Sequence, residues 1–174
     1  MDKEILVEAA SGNRGAFAQL VHHYREQVLR VAYGIVGSAE EAEDVAQEVF
    51  IKVWNHLPRY RAQGNLSNWL YRITVNAALD ALRRKGNELP LEDWQHDAEE
   101  QPEEAALRND QEERVRRALN ALPPGARSAL ILREYEQLSY KEIAEVLQIP
   151  IGTVMSRLNY ARKLLRERLA RDEV

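Results

Sequence analysis

The chain has 174 residues, 45% of them hydrophobic and 30% charged, with a net charge of −4 and no cysteine; this globular composition excludes disulfides, a thiolate zinc site and thiol-based redox sensing. No run of about eighteen apolar residues is present, and no basic segment leads into an apolar stretch at the N-terminus, so membrane insertion is not expected and the cytoplasm is the expected compartment. Charge is unevenly spread: residues 86–113 hold eleven carboxylates against Arg108 alone, a local −10 that leaves the rest at +6, so the acidic total does not exclude a nucleic-acid partner.

Helical periodicity recurs along the chain, and no period-two stretch bounded by turn residues reads as a strand, so an all-α fold is predicted. Residues 3–10 form a short helix ended by Ser11-Gly12-Asn13. Residues 16–36 follow, with Phe17, Leu20, Val21, Tyr24, Val28, Val31 and Ala32 on one side and Gly37 as the stop. Adjacent His22 and His23 point to different sides of that helix. Together with His56 and His96 they lack ligand spacing, so no metal or cofactor is predicted. Ser38 and Glu41 have capping-box spacing for a helix reaching about Leu57, buried along Ala42, Val45, Ala46, Val49, Phe50, Val53 and Trp54 and ended by Pro58. Asp44, Gln47, Glu48 and Lys52 lie off that stripe.

A polar, basic loop over residues 59–65 leads into a helix over 67–85, where Asn68, Arg72, Asn76, Asp80 and Arg83 recur every three to four residues as a polar stripe. An unstacked base needs a small pocket, polar groups for its edge and an aromatic or guanidinium plane. Tyr60, Arg61, Gln63, Gly64, Asn65, Leu66, Arg72 and Asn76 supply those types. Trp69 stands open between core packing and base contact.

The acidic stretch around Pro90 and Pro102 has few apolar residues to bury and reads as a flexible linker. Two small helical domains result, over residues 1–85 and 109–174, joined by 86–108. Each is small for a lone core, so reliance on a partner is expected. In the second, a helix to about Leu122 is followed by a Pro123-Pro124-Gly125 corner, a helix to about Glu136, and then two short helices joined by a tight turn. Ser139 and Glu142 form a capping box, Ile143, Ala144 and Leu147 give an apolar face, and residues 149–152 break the helix. A new helix starting near Thr153 sets Val154, Leu158, Ala161 and Leu165 inward and leaves Thr153, Met155, Ser156, Arg157, Asn159, Tyr160 and Lys163 outward. That is a helix-turn-helix, whose second helix enters the major groove; Arg162, Lys163, Arg166, Arg168 and Arg171 suit phosphates. The plainer alternative is an amphipathic hairpin with a solvated basic face.

Asp44-Val-Ala-Gln-Glu-Val-Phe50 with Trp54, then Trp69-Leu-Tyr-Arg-Ile73 with Asn76, then Leu138-Ser-Tyr-Lys-Glu-Ile-Ala144 and Gly152-Thr-Val-Met-Ser-Arg157 closely resemble the motifs of the extracytoplasmic-function sigma factors. The motifs occur in the family's order around an acidic linker and span nearly the whole chain. The resemblance implies that Asp44, Gln47, Glu48 and Lys52 dock on the clamp coiled coil in the largest subunit of core RNA polymerase. It implies that the loop and stripe around Tyr60 and Asn76 capture melted minus-10 promoter DNA, and that the outward face of the last helix reads the minus-35 duplex. It further implies an anti-sigma factor as a partner, and a linker threading a basic channel of the polymerase. The chain departs from the family at Met155 and Tyr160, where a basic residue is frequent, which puts a carried-over promoter sequence in doubt.

Two other functions compete. A free-standing helix-turn-helix regulator would carry a ligand or dimerisation domain in its N-terminal half and act without polymerase. A hydrolase using the carboxylates from Glu92 to Glu104 would need them held rigidly, which their polar surroundings disfavour; no enzyme activity is therefore predicted.

Overall fold

A computed structural model describes residues 3–61, 64–87 and 110–171. Among them there is no strand. The helices are α1 (Lys3–Ala10), α2 (Arg14–Val36), α3 (Ala39–His56), α4 (Leu66–Asn87), α5 (Asp110–Asn120), α6 (Pro124–Glu134), α7 (Tyr140–Leu147) and α8 (Ile151–Arg171), with a 3-10 turn at Leu57–Arg59. The first four and the last four form two helical groups, consistent with an all-α fold of two small helical domains; the expected linker, residues 86–108, lies outside the described residues from residue 88 on.

Local chemistry sets the helix ends. The Asn13 side chain accepts from the backbone N–H of Gly15 and Ala16 at the start of α2, and Gly37 (φ 77°) ends that helix in the left-handed region that favours glycine. Ser38 caps α3 by accepting from Glu41 N–H, but the predicted box is only half made. The Glu41 carboxylate instead pairs with Lys85 Nζ of α4 at 2.7 Å, because a cation is a stronger partner than a neutral N–H. At Ser139 and Glu142 both halves of the box form. Gln148 (φ 54°) terminates α7, and α8 starts at Ile151, two residues before the expected Thr153. The Pro150 carbonyl accepts from both Thr153 and Val154, which draws Ile151 and Gly152 into the first turn. Val154, Leu158 and Ala161 are fully buried, so the predicted register of α8 holds.

The two domains pack on each other. Gly34 of α2 lies so close to Ile131 of α6 that a Cβ there would meet its side chain at 2.8 Å. α2 has no basic residue in its last turn. The second domain supplies that charge: Arg127 donates to the Ile35 carbonyl and Arg116 to the Gly37 carbonyl, at the negative end of the helix dipole. Glu136, its side chain only 3% exposed, receives Nε and Nη2 of Arg30 at 2.6 and 3.1 Å and the Tyr71 hydroxyl at 2.6 Å. That hydrogen bond with Glu136 raises the Arg30 pKa, while burial foremost raises that of the Tyr71 phenol, so the network is a carboxylate shared by one cation and one neutral donor. Each small domain thus covers a face of the other.

Candidate nucleic-acid and polymerase surfaces

The basic loop and the start of α4 build one cavity of about 390 Å³, lined by Arg59, Tyr60, Arg61, Gly64, Asn65, Asn68, Trp69 and Arg72, with Glu145 and Val146 of α7 across from them. Tyr60 and Trp69 meet with ring centroids 4.7 Å apart and planes inclined by 39°. The Tyr60 hydroxyl donates to the Gly64 carbonyl at 3.1 Å, and burial pushes its pKa up, so it stays a neutral donor that ties the loop back on itself. Asn65 accepts from Ser67 N–H at 2.9 Å and so caps α4. Asn68 Oδ1 and Arg72 Nε are buried without a hydrogen-bond partner. A buried polar atom left unpaired costs about 1–3 kcal/mol, so these are groups for which a ligand atom would be stabilising.

Of the residues assigned to minus-10 DNA from sequence, the structure brings Tyr60, Arg61, Gly64, Asn65 and Arg72 together. Leu66 is half-buried against the core, and Asn76 is exposed one helical turn beyond Arg72, outside the cavity. Gln63 lies outside the described residues. The sequence reading did not assign Arg59 and Asn68 to the site, although the basic loop and the polar stripe contained them, and Trp69 proves to be a half-buried wall of the cavity. Glu145 and Val146 carried no local signal, since only the contact between domains brings α7 here.

On α3, Asp44 and Gln47 are exposed. Glu48 is engaged within the chain: it pairs with Lys52 at 2.7 Å and with Arg84 of α4 at 3.1 Å, and the Lys52 ammonium foremost holds its carboxyl below the usual carboxylate range. Beside them runs an apolar cleft of about 430 Å³ lined by Phe17, Val21, Ala46, Phe50, Ile51 and Trp54, with Gln47 on its wall and the Arg25–Glu43 pair (2.8 Å) at its edge. Ile51 is 56% exposed there. Polar residues beside an exposed apolar cleft are the make-up of a protein interface.

The outward face of α8 is open. Met155 and Tyr160 are 49% and 51% exposed, and Ser156, Asn159 and Lys163 stand between them. The Ser156 hydroxyl donates back to the Gly152 and Thr153 carbonyls at 3.1 and 3.2 Å, leaving its lone pairs outward. Thr153 is half-buried, and Arg157 lies on a flank, where its guanidinium would be 3.0 Å from any Cβ at Gly125. Arg162, a phosphate candidate from sequence, donates to Glu134 at 3.1 Å, and hydrogen bonds with Tyr140 and then Glu134 raise its pKa.

Known proteins share this arrangement. Sigma-70 region 2 matches residues 20–88, and sigma-70 region 4 matches residues 112–165. The RNA polymerase sigma-H factor of Pseudomonas aeruginosa is 39% identical over 94% of this chain and 91% of its own length. The ECF RNA polymerase sigma factor SigW of Bacillus subtilis is 30% identical over 97% of both chains. Among solved structures, the sigma factor RpoE of Bartonella quintana, crystallised with the anti-sigma factor NepR, superposes with a TM-score of 0.72 at 27% identity over 88% of this chain and 96% of its own.

Proposed function

The chain belongs to the extracytoplasmic-function sigma factors of bacterial RNA polymerase, which direct promoter-specific transcription initiation, and from that premise we propose how its surfaces divide the work. The α3 face with Asp44 and Gln47, together with the apolar cleft beside it, docks on the clamp coiled coil of core polymerase. The cavity of the first domain captures an unstacked base of the melted minus-10 element: Arg59, Arg61 and Arg72 hold phosphates, Tyr60 and Trp69 offer a stacking surface, and Asn65 and Asn68 offer polar groups for a base edge. The outward face of α8 reads minus-35 duplex in the major groove, with Ser156, Asn159, Tyr160 and Lys163 central and Arg157 on the flank reaching phosphate or a base at the groove's edge. The chain itself makes and breaks no covalent bond. An anti-sigma factor holds it in check, as the relative crystallised with NepR suggests.

One observation supports this reading best: three arginines, a tyrosine and a tryptophan from a basic loop and one helix converge on a single cavity. The test uses the full chain with core polymerase and a promoter template whose minus-10 region is already mismatched. Arg72→Ala is expected to weaken binding to that template by about 1–3 kcal/mol, because its partner is the exposed strand. Full rescue by pre-melting would assign Arg72 to strand separation or folding instead.

A further inference from the structure

α8 turns Val154 and Leu158 fully inward, yet the first half of the same helix leaves three large apolar side chains on the surface. Ile151, Met155 and Tyr160 are 47%, 49% and 51% exposed. Ile151 and Met155, four residues apart, stand one above the other on one side of the helix. At about 100° per residue, Tyr160 lies about 140° round from Met155, so the apolar groups flank a polar centre formed by Ser156 and Asn159, both exposed. Apolar side chains grouped in this way on a surface mark a contact.

Two observations favour nucleic acid as what meets this face. From Ile151 to Arg166 there is no carboxylate, while Lys163 and Arg166 are exposed, so the surroundings suit a polyanion. Gly152 is helical rather than left-handed, and a Cβ there would meet nothing within 4 Å. Neither conformation nor internal packing calls for glycine at that place, although glycine weakens a helix; close approach of a partner to the backbone does call for it. The same face is poor in groups for reading guanine, which takes two donors from one arginine or lysine. Between Ile151 and Tyr160 the only cation is Arg157, and it lies on the flank, where its guanidinium would be 3.0 Å from a Cβ at Gly125. The Ser156 hydroxyl proton is committed to the carbonyls of Gly152 and Thr153. What remains at the helix start is apolar surface, and the apolar group that a base pair presents in the major groove is the C5-methyl of thymine.

We propose that Ile151, Met155 and Tyr160 set the minus-35 preference of this factor by covering thymine methyl groups in the major groove, so that the steps they face are chosen for a methyl rather than for hydrogen bonds to guanine. The proposal rests on the reading of the outward face of α8 as the minus-35 contact. It gives a role to Ile151, which the sequence reading did not assign to the site, and it explains how a helix start with Met155 and Tyr160 in place of basic residues still discriminates. Ser156 and Asn159 hold the register between the two apolar sides, and Lys163 and Arg166 meet phosphate.

The test uses holoenzyme assembled from core polymerase and the full chain. Its probe is a duplex promoter library randomised over the minus-35 region; the best-bound sequence is then remade with uracil in place of each thymine in turn, which removes one methyl and no hydrogen-bonding group. Uracil is expected to weaken binding about fourfold at each thymine whose methyl is covered, the factor that corresponds to one buried methyl. Ile151→Ala, Met155→Gln and Tyr160→Ala are each expected to bind the thymine and uracil forms alike at one such position, whereas Met155→Leu, which keeps the apolar surface, retains the preference. All three side chains are exposed, so these variants are expected to fold. A selected element without T·A pairs would overturn the proposal, as would a thymine preference that survives all three substitutions. Uracil forms bound as tightly as thymine forms, with Ser156→Ala and Asn159→Ala together weakening both, would overturn it while leaving α8 as the reading helix. Binding indifferent to uracil, to the apolar variants and to the Ser156→Ala, Asn159→Ala pair would remove α8 as the minus-35 reader and the proposal with it.

Discussion

A single guanidinium, that of Arg127, joins three backbone ends. It donates to the carbonyls of Asn120 and Leu122 within its own domain and to that of Ile35 in the other. Burial pushes its pKa down to about 10, which still leaves it charged at neutral pH, so removal of the side chain strands three buried acceptors at once. Arg127→Met is expected to lower the free energy of unfolding by about 3 kcal/mol in urea titration. Arg127→Lys should recover little of that, because one ammonium does not reproduce a planar fork with five donors. Near-complete recovery by lysine would show that charge alone, not the fork, is what the site requires. The sequence could not single this arginine out: in Ala126-Arg-Ser-Ala129 it reads as one more polar residue on an amphipathic helix, and its acceptors become visible only once two domains meet.

Helix faces were the most legible level. The stripes of α2 and α3 and the register of α8 follow from 3.6-residue periodicity alone, since each needs nothing beyond its own spacing. What periodicity leaves open is the use of the polar face, and α3 shows why. Asp44, Gln47, Glu48 and Lys52 look equivalent on a helical wheel, but Glu48 bridges Lys52 and Arg84 and so ties α3 to α4. Replacing Asp44 and Gln47 together by alanine is expected to change stability by no more than about 0.5 kcal/mol while weakening core polymerase binding. Glu48→Ala should by itself cost about 0.5–1 kcal/mol. The pH dependence has a definite sign: the folded pKa of Glu48 is lowered, so its contribution is fully present above the ordinary carboxylate pKa and is lost as pH falls through the folded value. Chemical unfolding of wild type and Glu48→Ala at neutral and acidic pH therefore gives a gap that closes on acidification. A gap that stays constant with pH would mean that the carboxylate's charge is irrelevant to the α3–α4 contact.

For the whole molecule, the sequence made an all-α chain legible, and its composition shifts sharply over residues 86–113, but it carried no sign of how the first four helices and the last four would close on each other. Such contacts depend on distant pairs such as Gly34 with Ile131 and Arg30 with Glu136, which no local pattern announces. Charge is the remaining global property. The segment carries −10 and the rest of the chain +6, so in the free factor the acidic residues stand within the same molecule as the arginines meant for DNA, and a competitor tethered to its own target acts at high effective concentration. Changing most Glu and Asp of residues 86–108 to Gln and Asn is therefore expected to raise non-specific duplex binding by the free chain and to steepen its fall with salt, because more cations are then free to displace counterions. Filter or anisotropy titrations between about 50 and 200 mM salt measure both quantities. A plain spacer predicts that only length matters. A neutral segment of unchanged length that leaves both the affinity and the salt slope as they were would show that the carboxylates do not shield the DNA-binding surfaces.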